Sequence, residues 1–113
     1  MSKKHPLRYR WEKATGMDAH LKRWIGFDGE RRFGFLQPGT VGQYQWYMSW
    51  PYDGYGPSLP AQSGLEESAN LAALALEKIY DATLDGTRTD LCEKQQAKAA
   101  ELARTSHVRN QAF

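Results

Sequence analysis

Five side chains near the start of this chain have the types and spacing to hold a polyanion: Arg8, Arg10, Lys22, Trp24 and Arg32. Guanidinium and ammonium groups pair with phosphate oxygens, and an indole offers a flat surface on which a base can stack. From Met1 to Arg32, nine Lys/Arg stand against four Asp/Glu, a local net charge of +5, while the rest of the chain carries −3. The overall charge is only +2, so a nucleic-acid reading rests on where the charge sits and not on its sum. These residues predict a non-catalytic binding module whose basic, aromatic sheet face engages nucleic acid or a nucleoprotein complex. The same arginines also suit a plain solvated sheet face.

A second set fits a protein partner instead. Tyr52 and Tyr55 flank Asp53-Gly54 in a Pro/Gly-rich stretch from Pro51 to Gly64, and Tyr47 lies just before it. Leu71 and Leu74 fall among Glu67, Asn70, Glu77 and Asp81, off the main apolar face of their helix, and need another cover. A second helix of the same chain or a second subunit in a homodimer would supply it. The alternative expectation is an inhibitor or adaptor acting through these five residues.

Catalytic and metal chemistry find little support. His5, His20 and His107 lie in separate segments, each without a ligand at i+3 or i+4. Cys92 is the only cysteine, which excludes an internal disulfide. Glu66 and Glu67 point about 100° apart on a helix, suited to its dipole before acid/base work. Ser63 lacks the glycines of a nucleophile elbow, and Gly39-Thr40-Val41-Gly42 has no following Lys for a phosphate loop. No enzyme, metal or cofactor is expected. No apolar run nears the roughly 18 residues that span a bilayer, and the start is polar, so the expectation is a soluble cytoplasmic protein without membrane contact.

The elements that must position these residues divide the chain in two. At 113 residues it is expected to form a single domain. Period-two alternation predicts strands at 7–13, 20–27, 30–37 and 43–50, with Asp28-Gly29 as a hairpin turn. Tyr44, Trp46, Met48 and Trp50 share one face and are assigned to the core, as are Tyr9, Trp11, Leu21, Ile25, Phe33 and Phe35, with Phe27 on the same strand face as Leu21 and Ile25. Ser63 and Glu66 have the spacing of a capping box, which predicts a helix over 65–84 after a loop at 51–64. Leu65, Ala69, Ala72, Leu76, Ile79 and Tyr80 form its apolar face. A weaker helix follows over 90–104, then a loose polar tail over 105–113. The fold class is α+β: a four-stranded antiparallel meander backed by one long helix, with a second C-terminal helix.

The stretch from His20 to Phe35 (HLKRWIGFDGERRFGF), followed by Leu74 to Ala82 (LALEKIYDA), resembles small sheet-plus-helix domains of the AP2/integrase arm-binding type. That resemblance implies a sheet laid on DNA and backed by an alanine-rich helix. The compact build without catalytic motifs is also similar in style to phage or mobile-element accessory proteins, anti-CRISPR inhibitors among them.

Overall fold

Alternating apolar and polar side chains draw the first half of the chain into strands. The computed structural model describes residues 6–49 and 63–110. Its strands are β1 (Arg10–Lys13), β2 (Trp24–Asp28), β3 (Arg31–Pro38), β4 (Tyr44–Met48) and β5 (Ser63–Glu66). They form one antiparallel sheet in the order β1-β2-β3-β4-β5. The fold is α+β, with one strand more than the alternation predicts.

The extra strand replaces the expected helix start. Ser63 and Glu66 do not cap; they pair with Tyr47 and Tyr44 of β4. The long helix α1 (Ala69–Asp85) begins later, where the Ser68 hydroxyl accepts the Leu71 N–H at 3.2 Å. Residues 20–23 also differ from expectation. Gly16–Leu21 is a 3-10 helix closed by Lys22 in the left-handed conformation (φ 54°), so the strand starts only at Trp24. The hairpin turn falls on Gly29 and Glu30, one residue later than predicted, because Asp28 still pairs with Arg31. Of the predicted core set on β4, Trp46 and Met48 are buried and Tyr44 packs against the core; Trp50 lies outside the described residues.

Two glycines make room on the helix side of the sheet, one for the Phe33 ring and one for α1. Gly26 and Gly34 face each other across β2 and β3. A Cβ on Gly26 would lie 2.6 Å from the Phe33 ring, and one on Gly34 would lie 2.8 Å from Leu76 of the helix. The β2–β3 ladder shifts register between Gly26 and Phe27, so Gly26 faces Gly34 but Phe27 faces Arg32. Phe33 is thereby the extra residue of a bulge. It turns inward and is fully buried, stacked on Tyr80 at 4.4 Å, with Leu36, Trp46, Met48, Ala72 and Leu76 around it.

Helix α1 packs on β3, β4 and β5, and α2 (Glu93–Arg104) packs on α1. The cap of α2 is Cys92 with Gln95, whose side-chain oxygen accepts the Cys92 N–H at 2.9 Å, so the helix starts at Glu93 and not at 90. Arg88 is buried and ties α1 to the segment between the helices, donating to Asp90 at 2.9 and 2.7 Å and to Thr83 at 3.1 Å. The segment after α2 is not the loose tail expected, at least through Asn110. Ser106 is fully buried and α3 (His107–Asn110) follows it. Among the described residues, no helix is long and apolar enough to cross a membrane.

Candidate nucleic-acid interface

Residues directly opposite on neighbouring strands share a face, so the pairing defines the side of the sheet away from α1. One row runs Glu12, Ile25, Phe35, Tyr47, Ser63; a second runs Arg10, Phe27, Arg32; a third ends on Gln37, Gln45, Leu65. No described helix packs across this face, and its rings are half-buried. Phe35 and Tyr47 stack at 5.1 Å. The Arg10 guanidinium lies over Phe27 at 4.5 Å, and that of Arg23 lies over Phe35 at 4.3 Å.

Two of the three cations are held by polar neighbours at the surface. Arg10 pairs with Glu12 at 2.8 Å and donates to the Gly29 carbonyl at 2.9 Å. Arg23 donates to the Gln37 side chain at 2.9 Å. Arg32 is exposed beside Phe27. The three arginines outweigh Glu12, the single acid in these rows, and the face carries a net positive charge.

The residues predicted to form the basic face are therefore split. Arg10 and Arg32 lie on the outer face as expected. Arg8 lies on the other side of the chain's path, where its guanidinium pairs with Asp81 of α1 at 3.2 Å. Trp24 sits opposite Leu36, a core residue, and so belongs to the helix side, where it is 38% exposed. Lys22 is exposed in the left-handed turn before β2. Ile25, Phe27 and Phe35, assigned to the core by the alternation, point away from it. The bulge at Phe33 explains why Phe33 turns inward while Phe35 turns outward on β3. Strand β2 alternates without interruption, and its two faces are simply the reverse of those expected. Of the protein-partner set, Tyr47 lies on the outer face, Leu71 and Leu74 are half-buried on α1, and Tyr52 and Tyr55 lie outside the described residues.

Arg23, Phe27 and Phe35 are the site residues that sequence reasoning missed. A signal for the two rings exists in Ile25-Gly26-Phe27 and Gly34-Phe35. A glycine within a strand marks where another backbone comes close, so the large side chain next to it points the other way.

The buried titratable groups are engaged in holding elements together. Glu77 of α1, 3% exposed, accepts the backbone N–H groups of Arg8 and Tyr9 at 2.8 and 2.9 Å and the Trp11 indole at 2.8 Å. Asp28, also 3% exposed, accepts the Tyr80 hydroxyl at 2.7 Å, the Ser106 hydroxyl at 2.6 Å and the Val108 N–H at 2.8 Å. Burial alone would raise the Asp28 pKa, but the bonds from Ser106, Val108 and Tyr80, with Arg31 nearby, hold it below the usual carboxylate value. Arg31 completes the cluster by donating to the Tyr80 oxygen at 2.9 Å and to Thr105 at 2.5 Å. Tyr80 and Tyr9 are pushed up beyond the ordinary phenol range, first by burial and then by their bonds to Asp28 and Asp81.

A cleft of about 710 Å³ opens beside this cluster, lined by Arg8, Arg10, Phe27, Arg31, Thr105 and His107 among others. It adjoins the outer face through Arg10 and Phe27. Among the described residues, no group of three or more His, Cys, Asp or Glu side chains is arranged to hold a metal ion. No protein-family model, curated protein or solved structure matches the chain.

Proposed function

We propose that this chain is a non-catalytic binding module whose outer sheet face engages nucleic acid, alone or within a nucleoprotein complex. The observation that carries this reading is the pairing of Arg10 with Phe27 and Arg23 with Phe35 on a face that no described helix covers. A guanidinium can hold a phosphate by two parallel hydrogen bonds, and the ring beneath it supplies a stacking surface. The net positive charge that Arg10, Arg23 and Arg32 give this face would steer a polyanion toward it. The engagement of Asp28 and Glu77 by backbone amides and hydroxyls favours binding over catalysis.

The test is binding to fluorescent oligonucleotides at graded salt. Three phosphate contacts, one each from Arg10, Arg23 and Arg32, predict a log–log salt slope of about −2 on a single strand, or about 20-fold loss from about 50 to 200 mM. Replacing the three arginines together with Glu should abolish binding while the melting temperature stays near the parent's. Arg8 is left out because its change would break the Asp81 pair. Absence of binding at low salt refutes the proposal. One observation favours a second reading: Leu65, 52% exposed, extends the apolar strip of Ile25 and Tyr47 along the same face. A face of that kind also suits a protein partner, with the chain as an inhibitor or adaptor, and failure to bind nucleic acid would promote it.

A further inference from the structure

We infer, on the basis of that nucleic-acid reading, that the outer face takes single strands and rejects duplex, because two bases must separate to occupy the Phe27 and Phe35 rings. Phe27 lies two residues along β2 from Ile25, and Ile25 sits opposite Phe35 on β3. Strand geometry puts the two positions about 6.7 Å apart along the sheet and about 4.8 Å apart across it, a diagonal of about 8 Å. Bases along one strand of a duplex rise by only about 3.4 Å. Neighbouring bases therefore reach both rings only when unstacked from each other. A duplex also hides its ring faces within the stack, leaving only phosphates for Arg10, Arg23 and Arg32 to touch.

The two guanidinium groups mark where the bases would lie. A guanidinium is flat and delocalised, and at 4.3–4.5 Å from a ring centroid it stands where a stacked base would stand. Its present partners, Glu12, Gln37 and the Gly29 carbonyl, are all near the surface, so releasing it costs little. Once displaced, each arginine remains within reach of the phosphate that follows its base. Phe35 is braced by the stacked Tyr47 ring, and Phe27 is fixed by its neighbours in the sheet.

Binding of a thymidylate oligonucleotide, which has no structure of its own, is compared with that of a blunt duplex of equal length. The single strand should bind at least tenfold more tightly. Phe27→Leu and Phe35→Leu, which keep every charge, should each weaken single-strand binding about tenfold, the lower part of the range for one stacked base, and leave duplex binding unchanged. Should either variant fail to fold, the parent protein gives the answer by NMR. Titration with the single strand should move the Phe27 and Phe35 ring protons upfield, and the duplex should not. Equal affinity for duplex, or unmoved ring resonances on saturation with the single strand, overturns the inference while leaving nucleic-acid binding intact. No binding to either probe removes the parent reading and this inference with it.

Discussion

Asp28 is the residue whose loss should be felt most widely. Its side chain is fully shielded from solvent and accepts three hydrogen bonds, from Tyr80 on α1, Ser106 ahead of α3 and Val108 within α3. Asp28→Ala removes the acceptor for all three at once and leaves the Arg31 guanidinium, 3.9 Å from the carboxylate, without its counter-charge. Breaking a buried ionic cluster from one side costs about 3–5 kcal/mol, because the remaining partners stay desolvated. That is a third or more of the whole stability of a domain holding about 10 kcal/mol. With a urea m-value of about 1.5 kcal/mol/M, the unfolding midpoint should fall by about 2–3 M. Ser106→Ala is the informative companion. It leaves the other two bonds to Asp28 in place and should cost only about 1 kcal/mol. Hydrogen exchange adds a local readout, since the Val108 amide should lose protection in Asp28→Ala even where the core remains folded. A midpoint within about 0.5 M of the parent would refute the role assigned to this carboxylate.

Acid should reveal the same group. The Asp28 pKa is lower folded than unfolded, so its contribution is complete above the unfolded value of about 3.9 and disappears as pH falls through the folded one. Urea midpoints should therefore drop on acidification less steeply in Asp28→Ala than in the parent; parallel curves would contradict this. Trp46→Ala, at a ring only 8% exposed in the main core, should cost about 3–5 kcal/mol, and a melting temperature within a few degrees of the parent would mean the faces of β4 are reversed. Val41 is 90% exposed yet left-handed, at φ 52°. That conformation costs a non-glycine residue about 1–2 kcal/mol, less about 0.4–1 for the freer unfolded chain of a glycine variant. Val41→Gly should accordingly stabilise the protein by up to about 1 kcal/mol, and a loss of stability in thermal melts would show that the side chain makes a contact worth keeping.

What the sequence reveals depends on how local the signal is. Alternation in β4 correctly places Trp46 and Met48 because no irregularity interrupts that strand. The same rule fails from Ile25 to Phe35, where a bulge sends Phe33 inward and Phe35 outward although they stand two residues apart. Ser63 to Glu66 carries a helix-start pattern that loses to pairing with β4, a long-range contact with no local trace. Two of the five candidate-site residues, Arg10 and Arg32, follow from charge and period alone. The other three, Arg23, Phe27 and Phe35, depend on which side α1 covers, a contact between segments far apart in the chain. Asp28 reads as a turn residue in the sequence, yet it closes β2 opposite Arg31, and its partners Ser106 and Val108 lie 78 and 80 positions further along the chain.

Those separations bear on how the protein is made. The sheet residues leave the ribosome first, yet Glu77 bonds to β1 and its approach across 66 to 69 positions, and Asp28 to its farthest partners across 78 and 80. Loop-closure entropy must be overcome before either carboxylate finds its donors, which places this chain among the slower folders of its size. Until Ser106 has emerged, Asp28 lacks two of its three hydrogen-bond donors. Phe33 and Trp46 wait only for α1, which ends at Asp85, so the main core can close before the Asp28 cluster does. A chain stopped short of Ser106 should therefore keep its sheet-on-helix core yet hold a carboxylate without two of its donors, a late weakness fixed by the last segment to be made.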